Sequence, residues 1–266
     1  MKEFKIRCSA IGDIMAGEIG LTEKQCQRLD ELNSRTKALT ANMVDEFNIL
    51  RKKRDNPELP LGAKTYCKKW IKKTLYNRNE NWKSIVIDKG LAVEEDAIKL
   101  VAKVYGIEGL SKNEDYFSNE YCEGSPDVIQ THNLDIVRDT KCSWDLFTFP
   151  MFDDVIPKEG YEYQLLGYMW LTGIRLAALD YVLIDTPLPL VQQDLKKLYY
   201  QSGGVAEDWT PEKHESLLPN YKFDDIPDQM RVKSFYIEYD DTFEKKVIER
   251  VEMCREYISK ILGREI

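Results

Sequence analysis

Apolar residues at Leu29, Leu32, Leu39, Met43, Phe47 and Leu50 recur near helical spacing and predict a helix over about 22–54. Asn56-Pro57 and Pro60 end it. A second helix is predicted after Gly62, with Tyr66, Trp70, Ile71 and Leu75 on one stripe. A third runs from about 82 to 105 and stops at Gly106, so the first hundred residues read as helical. The texture changes over 115–142, where short runs rich in Tyr, Phe, Val and Ile are broken by Gly, Pro and Asn, as strands are. A helix follows over 161–172, then a buried strand over 176–184 and a helix over 190–200. The polar, proline-containing stretch 202–231 reads as a long loop or insertion. A last strand at 234–239 and a closing helix at 242–262 complete the chain. This order predicts one α/β domain with a helical lobe. The lobe is 1–80, the core 81–200, and the loop, last strand and last helix 201–266.

Composition narrows the class. With 43% hydrophobic and 32% charged residues, and no apolar run near the length of a bilayer span, the chain reads as a globular protein without a membrane segment. The first residues lack the apolar core of a secretory signal, so a cytoplasmic location is expected. The six cysteines are scattered without metal-ligand spacing, and only His132 and His214 are histidines; zinc, iron–sulfur and histidine-rich sites are not expected. The net charge of −8 is unevenly spread: residues 51–89 hold twelve Lys and Arg against four Asp and Glu. Such a segment is either a solvated helix face or a footprint for phosphates.

The candidate chemistry lies in Gly124-Ser125-Pro126-Asp127 and, twelve residues after the aspartate, Asp139-Thr140-Lys141. An acid two residues before a lysine also occurs at Glu3/Lys5, Asp194/Lys196 and Glu244/Lys246, so the surroundings decide. The turn-forming Thr131-His132-Asn133 lies midway between the aspartates. A hairpin centred on Asn133 pairs Val128 with Arg138 and Ile129 with Val137, and places Asp127 opposite Asp139. Opposed Cβ atoms lie about 4.5–5.5 Å apart. Carboxylates that close repel unless a cation lies between them. Period two puts Lys141 on the face of Asp139 and turns the Thr140 side chain away, leaving its carbonyl available. The set suits Mg²⁺ or Mn²⁺, one ion or two. Such an ion polarises a phosphate and activates water, and Lys141 could orient or deprotonate that water or stabilise developing charge. An exposed hairpin with surface ion pairs gives the same letters.

These residues resemble the core motif of the PD-(D/E)XK nuclease superfamily. Gly90, Glu94 and Ala97 are similar to the Gly-x-x-x-Glu-x-x-Ala helix of its lambda exonuclease/YqaJ-like branch; the three share a helix face, the small residues permit close packing, and Glu95 faces elsewhere. Gln164 and Tyr168 resemble the branch's Gln-x-x-x-Tyr signature. The middle acid is Asp139 where many members have Glu. Ser9, within Lys5–Ala10, resembles the branch's opening serine-containing helix, though with a departing spacing.

The resemblance implies a restriction-endonuclease-like core with a central mixed β-sheet flanked by helices, plus the N-terminal helical lobe. It implies Glu94, Asp127, Asp139 and the Thr140 carbonyl as metal ligands, Lys141 as the catalytic lysine, and Gln164 with Tyr168 as orienting groups. Arg51, Lys52, Lys53, Arg54, Lys68, Lys69, Lys72 and Lys73, with Ser9, become candidates for DNA contact. Trp70 and Tyr66 could stack on bases, or pack in the core. The expected activity is a Mg²⁺-dependent exonuclease acting on double-stranded DNA ends, 5′ to 3′, in phage-type recombination within a bacterial host cell. A single-strand annealing protein and a homotrimer are the partners the resemblance permits. A structure- or sequence-specific endonuclease of the superfamily, and a DNA-binding or interaction module without catalysis, are the competing readings.

Overall fold

A computed structural model describes residues 3–80, 84–205 and 209–264. The chain opens not with a helix but with a two-residue strand, β1 (Ile6–Arg7), followed by a 3-10 turn carrying Ser9 and a short helix, α1 (Ile11–Met15). β1 runs parallel, and β2 (Phe117–Ser118) antiparallel, to β3 (Cys122–Gly124). Two residues are too few to show a period, which is why β1 is invisible in the pattern.

The predicted helix over 22–54 is two helices. α2 (Glu23–Asn33) opens on a capping box, with the Thr22 hydroxyl accepting from Gln25 N–H and the Gln25 side chain accepting from Thr22 N–H. α3 (Ala41–Asp55) folds back on it, and Leu29, Leu32 and Leu50 meet in a small apolar cluster. Leu39, Met43 and Phe47 pack against the same cluster, so the stripe reads as continuous through the break. α4 (Leu61–Tyr76) buries Ala63, Cys67 and Ile71, while Leu75 is exposed. Phe4 packs edge-on against Trp70 and Tyr66 at ring-centroid distances of 5.2 and 6.3 Å, so these rings serve the core. α5 (Ile85–Tyr105) ends where Gly106 takes φ 65°; the start expected near 82 lies outside the described residues.

The second sheet has the order β4-β5-β6-β7: β4 (Val128–Gln130), β5 (Ile136–Cys142), β6 (Leu176–Val182) and β7 (Val232–Glu238). β5 and β6 are parallel and the outer pairs antiparallel, so the expected mixed sheet is present as two hydrogen-bonded sheets. α6 (Glu159–Thr172) makes the crossover from β5 to β6 and stops at Gly173, at φ 75°. α7 (Leu188–Gln201) follows β6. The stretch expected as loop contains α8 (Pro211–Leu217), capped by Thr210, and 3-10 turns at Leu218–Tyr221 and Asp228–Met230. These elements are too short and polar to show a period. α9 (Phe243–Leu262) closes the chain and buries Val247, Val251, Cys254 and Ile258 in one core with Ile11, Ile14, Leu165, Met169 and Leu179.

Candidate active site

The hairpin register is the one expected: Val128 pairs with Arg138, Ile129 with Val137 and Gln130 with Ile136. Asn133 takes the left-handed conformation, φ 64°, that the tight connection needs. The pairing stops at Val128, so Asp127 reaches β5 through its side chain: Thr140 N–H donates to Asp127 Oδ2 at 2.6 Å. A strand residue directs its N–H and C=O toward the same edge, so the Thr140 carbonyl opens on Asp127's side. Asp139 is almost fully buried on β5. Gln164, from α6, donates through Nε2 to Asp139 Oδ1 at 2.9 Å and to the Tyr168 hydroxyl at 2.8 Å. Lys141 Nζ lies 2.5 Å from Asp139 Oδ2 as an ion pair and 4.8 Å from the centroid of the Tyr161 ring. Asp139 Oδ2 is thus engaged by the Lys141 ammonium, and no other donor among the described residues reaches it.

Electrostatics follow from this crowding. Burial first, and the facing Asp139 carboxylate second, push Asp127 up to about 8, against the Thr140 N–H and Lys141. Burial works to lower Lys141, but the Asp139 and Asp127 carboxylates outweigh it and the net shift is upward. In the metal-free site Lys141 is therefore an ammonium, placed to donate and to offset negative charge. Tyr168 is pushed upward by burial and then by Asp139, and stays a phenol.

Glu94 sits on the face of α5 toward the hairpin and contributes to the field at Asp127. Its carboxylate pairs with Lys112, which precedes β2 and which sequence reasoning missed. Among the described residues no three His, Cys, Asp or Glu side chains converge into a metal-holding group. Two aspartates close enough to repel each other, a buried carboxylate oxygen met only by Lys141 and an all-oxygen donor set fit a hard divalent cation. Asp127, Asp139 and the Thr140 carbonyl would hold it; Glu94 Oε2 is paired with Lys112, which leaves its Oε1. When bound, such an ion supplies Lewis-acid activation of phosphate and water.

The other parts are placed less tightly. Ala97 is buried in a cluster with Leu100, Val101 and Val182, but a Cβ at Gly90 would meet nothing within 4 Å, so close packing does not require that glycine. Arg51, Lys52, Lys53 and Arg54 are exposed at the end of α3, and Lys68, Lys69, Lys72 and Lys73 on α4. Several make local ion pairs, such as Arg51 with Asp55 and Lys69 with Glu80. Ser9 is exposed, while its neighbour Cys8 is buried against Gly124 and Gly167.

Asn113 is a second residue without a signal in the sequence. Its side chain donates to Asp115 O, Ser125 Oγ and Pro126 O at 2.9, 3.1 and 3.0 Å, and its N–H donates to Asp127 O at 2.7 Å. It fixes the loop that delivers Asp127. Behind the site, Arg138 grips buried Asp180 with bonds of 3.1 and 3.0 Å, and Ser234 also donates to that carboxylate.

No protein-family model matches the chain. No curated protein matches it. Among solved structures, a phage-related exonuclease from Haemophilus somnus 129PT is similar over 98% of this chain and 96% of its own, at 26% identity and a TM-score of 0.69. An alkaline exonuclease (LHK-Exo) from Laribacter hongkongensis is similar over 97% and 92%, at 16% identity and a TM-score of 0.51. LHK-Exo in complex with dAMP gives 97% and 90%, 16% and 0.52. The fold and the facing-aspartate hairpin thus define an α/β protein with mixed sheets of the kind these exonucleases have. The likenesses agree with the resemblance carried by the motif, the lambda exonuclease/YqaJ-like branch of the PD-(D/E)XK superfamily.

Proposed function

We propose that the chain is a Mg²⁺-dependent exonuclease that degrades duplex DNA from its ends, 5′ to 3′, in phage-type single-strand annealing recombination. The observation that carries this reading is Asp127, bonded to the Thr140 N–H, close enough to Asp139 for the two carboxylates to repel, with Lys141 paired to Asp139 and Gln164 holding it. The likeness to a phage-related exonuclease over nearly the whole length of both chains supports exonuclease activity. In this reading Lys141 offsets charge on the phosphate, and Gln164 fixes one Asp139 oxygen so that the other is presented. The exposed basic ends and faces of α3 and α4 supply sequence-neutral contacts to the DNA backbone. No helix among the described residues is long and apolar enough to cross a membrane.

The test is purified protein with linear and with covalently closed circular duplex, in Mg²⁺ and in EDTA. Release of nucleotides from the linear form alone, and only in Mg²⁺, is expected. Cleavage of the circle at the same rate would replace the exonuclease reading by an endonuclease of the same superfamily. Binding of DNA with no cleavage of either form would leave a binding module.

A further inference from the structure

Lys89 is buried to 0% exposure on α5, a helix whose other charged residues are on open or half-open positions. Its ammonium donates to the carbonyls of Ser143 at 2.8 Å and Trp144 at 3.0 Å. The rings of Trp144 and Phe223 lie against it, with centroids 5.7 and 5.2 Å away, and Cys142, Asp185 and Asp145 are near enough to favour its charge. A cation in so dry a place costs several kcal/mol, roughly, unless its partners are well arranged. Burial accordingly pushes Lys89 down to about 8. An apolar side chain would fill the space without that penalty, but could not hold two converging carbonyls.

The two carbonyls belong to the residues that follow β5 directly, and Lys141 is two residues before Ser143. Glu94 is five residues after Lys89 on the same helix, a little more than one turn. The far half of α5 is fixed separately, by Ala97, Leu100 and Val101 against Val182 and Val232. Glu94 therefore lies between two anchors, one apolar and one ionic, and the ionic one grips the end of the strand that carries Asp139 and Lys141.

We propose that Lys89 is a positioning residue: by clamping α5 to the exit of β5 it sets Glu94 against the Asp139–Lys141 strand, without touching DNA itself. The inference rests on the nuclease reading above, and concerns how that site is held in shape. Substrate affinity should then survive its loss while turnover should not, because a displacement on the order of 1 Å in a catalytic group can reduce the rate about 10²-fold.

Lys89→Met keeps an unbranched side chain out to Cε and removes the cation. The expected result is a folded protein by circular dichroism, duplex affinity in EDTA and KM both within about threefold of the parent, and kcat lower by about tenfold or more. Backbone amides of 143–148 should exchange faster. Phe223→Leu, which takes away one ring face and leaves the carbonyl bonds, should show the same split more weakly. An unchanged kcat, or a loss expressed in KM alone, overturns the inference. If Lys89→Met does not fold, Phe223→Leu decides by the same criteria. A parent protein that cleaves no DNA defeats the nuclease reading instead, and amide exchange then decides here: unaltered exchange at 143–148 overturns the clamp.

Discussion

Lys141→Ala is expected to keep its affinity for duplex DNA and to cleave about 10²–10³-fold more slowly, the loss typical of removing one group that stabilises transition-state charge. The ammonium is placed for that role by three independent features. Period two on β5 puts it on the face of Asp139, the ion pair at 2.5 Å draws it inward, and the Tyr161 ring lies beneath it. The neighbouring carboxylates keep it charged in the metal-free protein, so the loss should be one of charge stabilisation. Single-turnover cleavage of a linear duplex in Mg²⁺ measures the effect. A rate equal to the parent's would place the cleavage elsewhere on the chain or in another protein.

Asp127→Asn is expected to stabilise the metal-free protein at alkaline pH while removing its response to divalent cations. The folded carboxyl is raised from 3.8 to about 8, so between these values the folded state holds a proton that the unfolded chain has released. Stability therefore falls as pH rises through that window, and the whole loss is present above pH 8. Asparagine keeps an oxygen for the Thr140 N–H and removes the charge that Asp139 opposes. In EDTA the variant should melt no higher than the parent near pH 4, and should gain on it up to about pH 8, by about 1–3 kcal/mol after allowance for partial exposure. Adding Mg²⁺ at pH 8 should raise the parent's melting temperature and leave the variant's unmoved, since only the parent keeps two facing carboxylates. A melting difference that is flat from pH 4 to 9 would mean that neither burial nor Asp139 raises the Asp127 carboxyl.

The hairpin was legible because its information is local. A turn at Asn133 and an alternating pattern fix which residues oppose each other, and a slip by one would turn Asp127 and Asp139 to the wrong partners. Gln164 and Tyr168 were marked by the resemblance; their spacing of four on one helix accounts for the bond between them, whereas the bond from Gln164 to Asp139 is made by the fold. What escaped is non-local or lacks a period. Lys112 meets Glu94 from a segment without regular structure, and Asn113 works through backbone atoms that sequence letters do not encode. Lys89 reads as a surface residue because lysine usually is one, and only the fold shows it enclosed by Trp144 and Phe223. The break between α2 and α3 was hidden because both helices feed one apolar cluster, so the stripe continues while the backbone turns. The place of Glu94 shows the limit of a motif: its spacing brings the residue near Asp127, but the charge it meets is Lys112.

The most direct measurement is a crystal of the protein soaked in Mn²⁺ at pH 8 or above and recorded at a wavelength where manganese scatters anomalously. The account predicts a peak between the carboxylates of Asp127 and Asp139, on the side where the Thr140 carbonyl opens, with Lys141 Nζ drawn away from Asp139 Oδ2. A protein that cleaves DNA in the same Mn²⁺ solution yet shows no peak there, or shows one at a different group of acids, would contradict it.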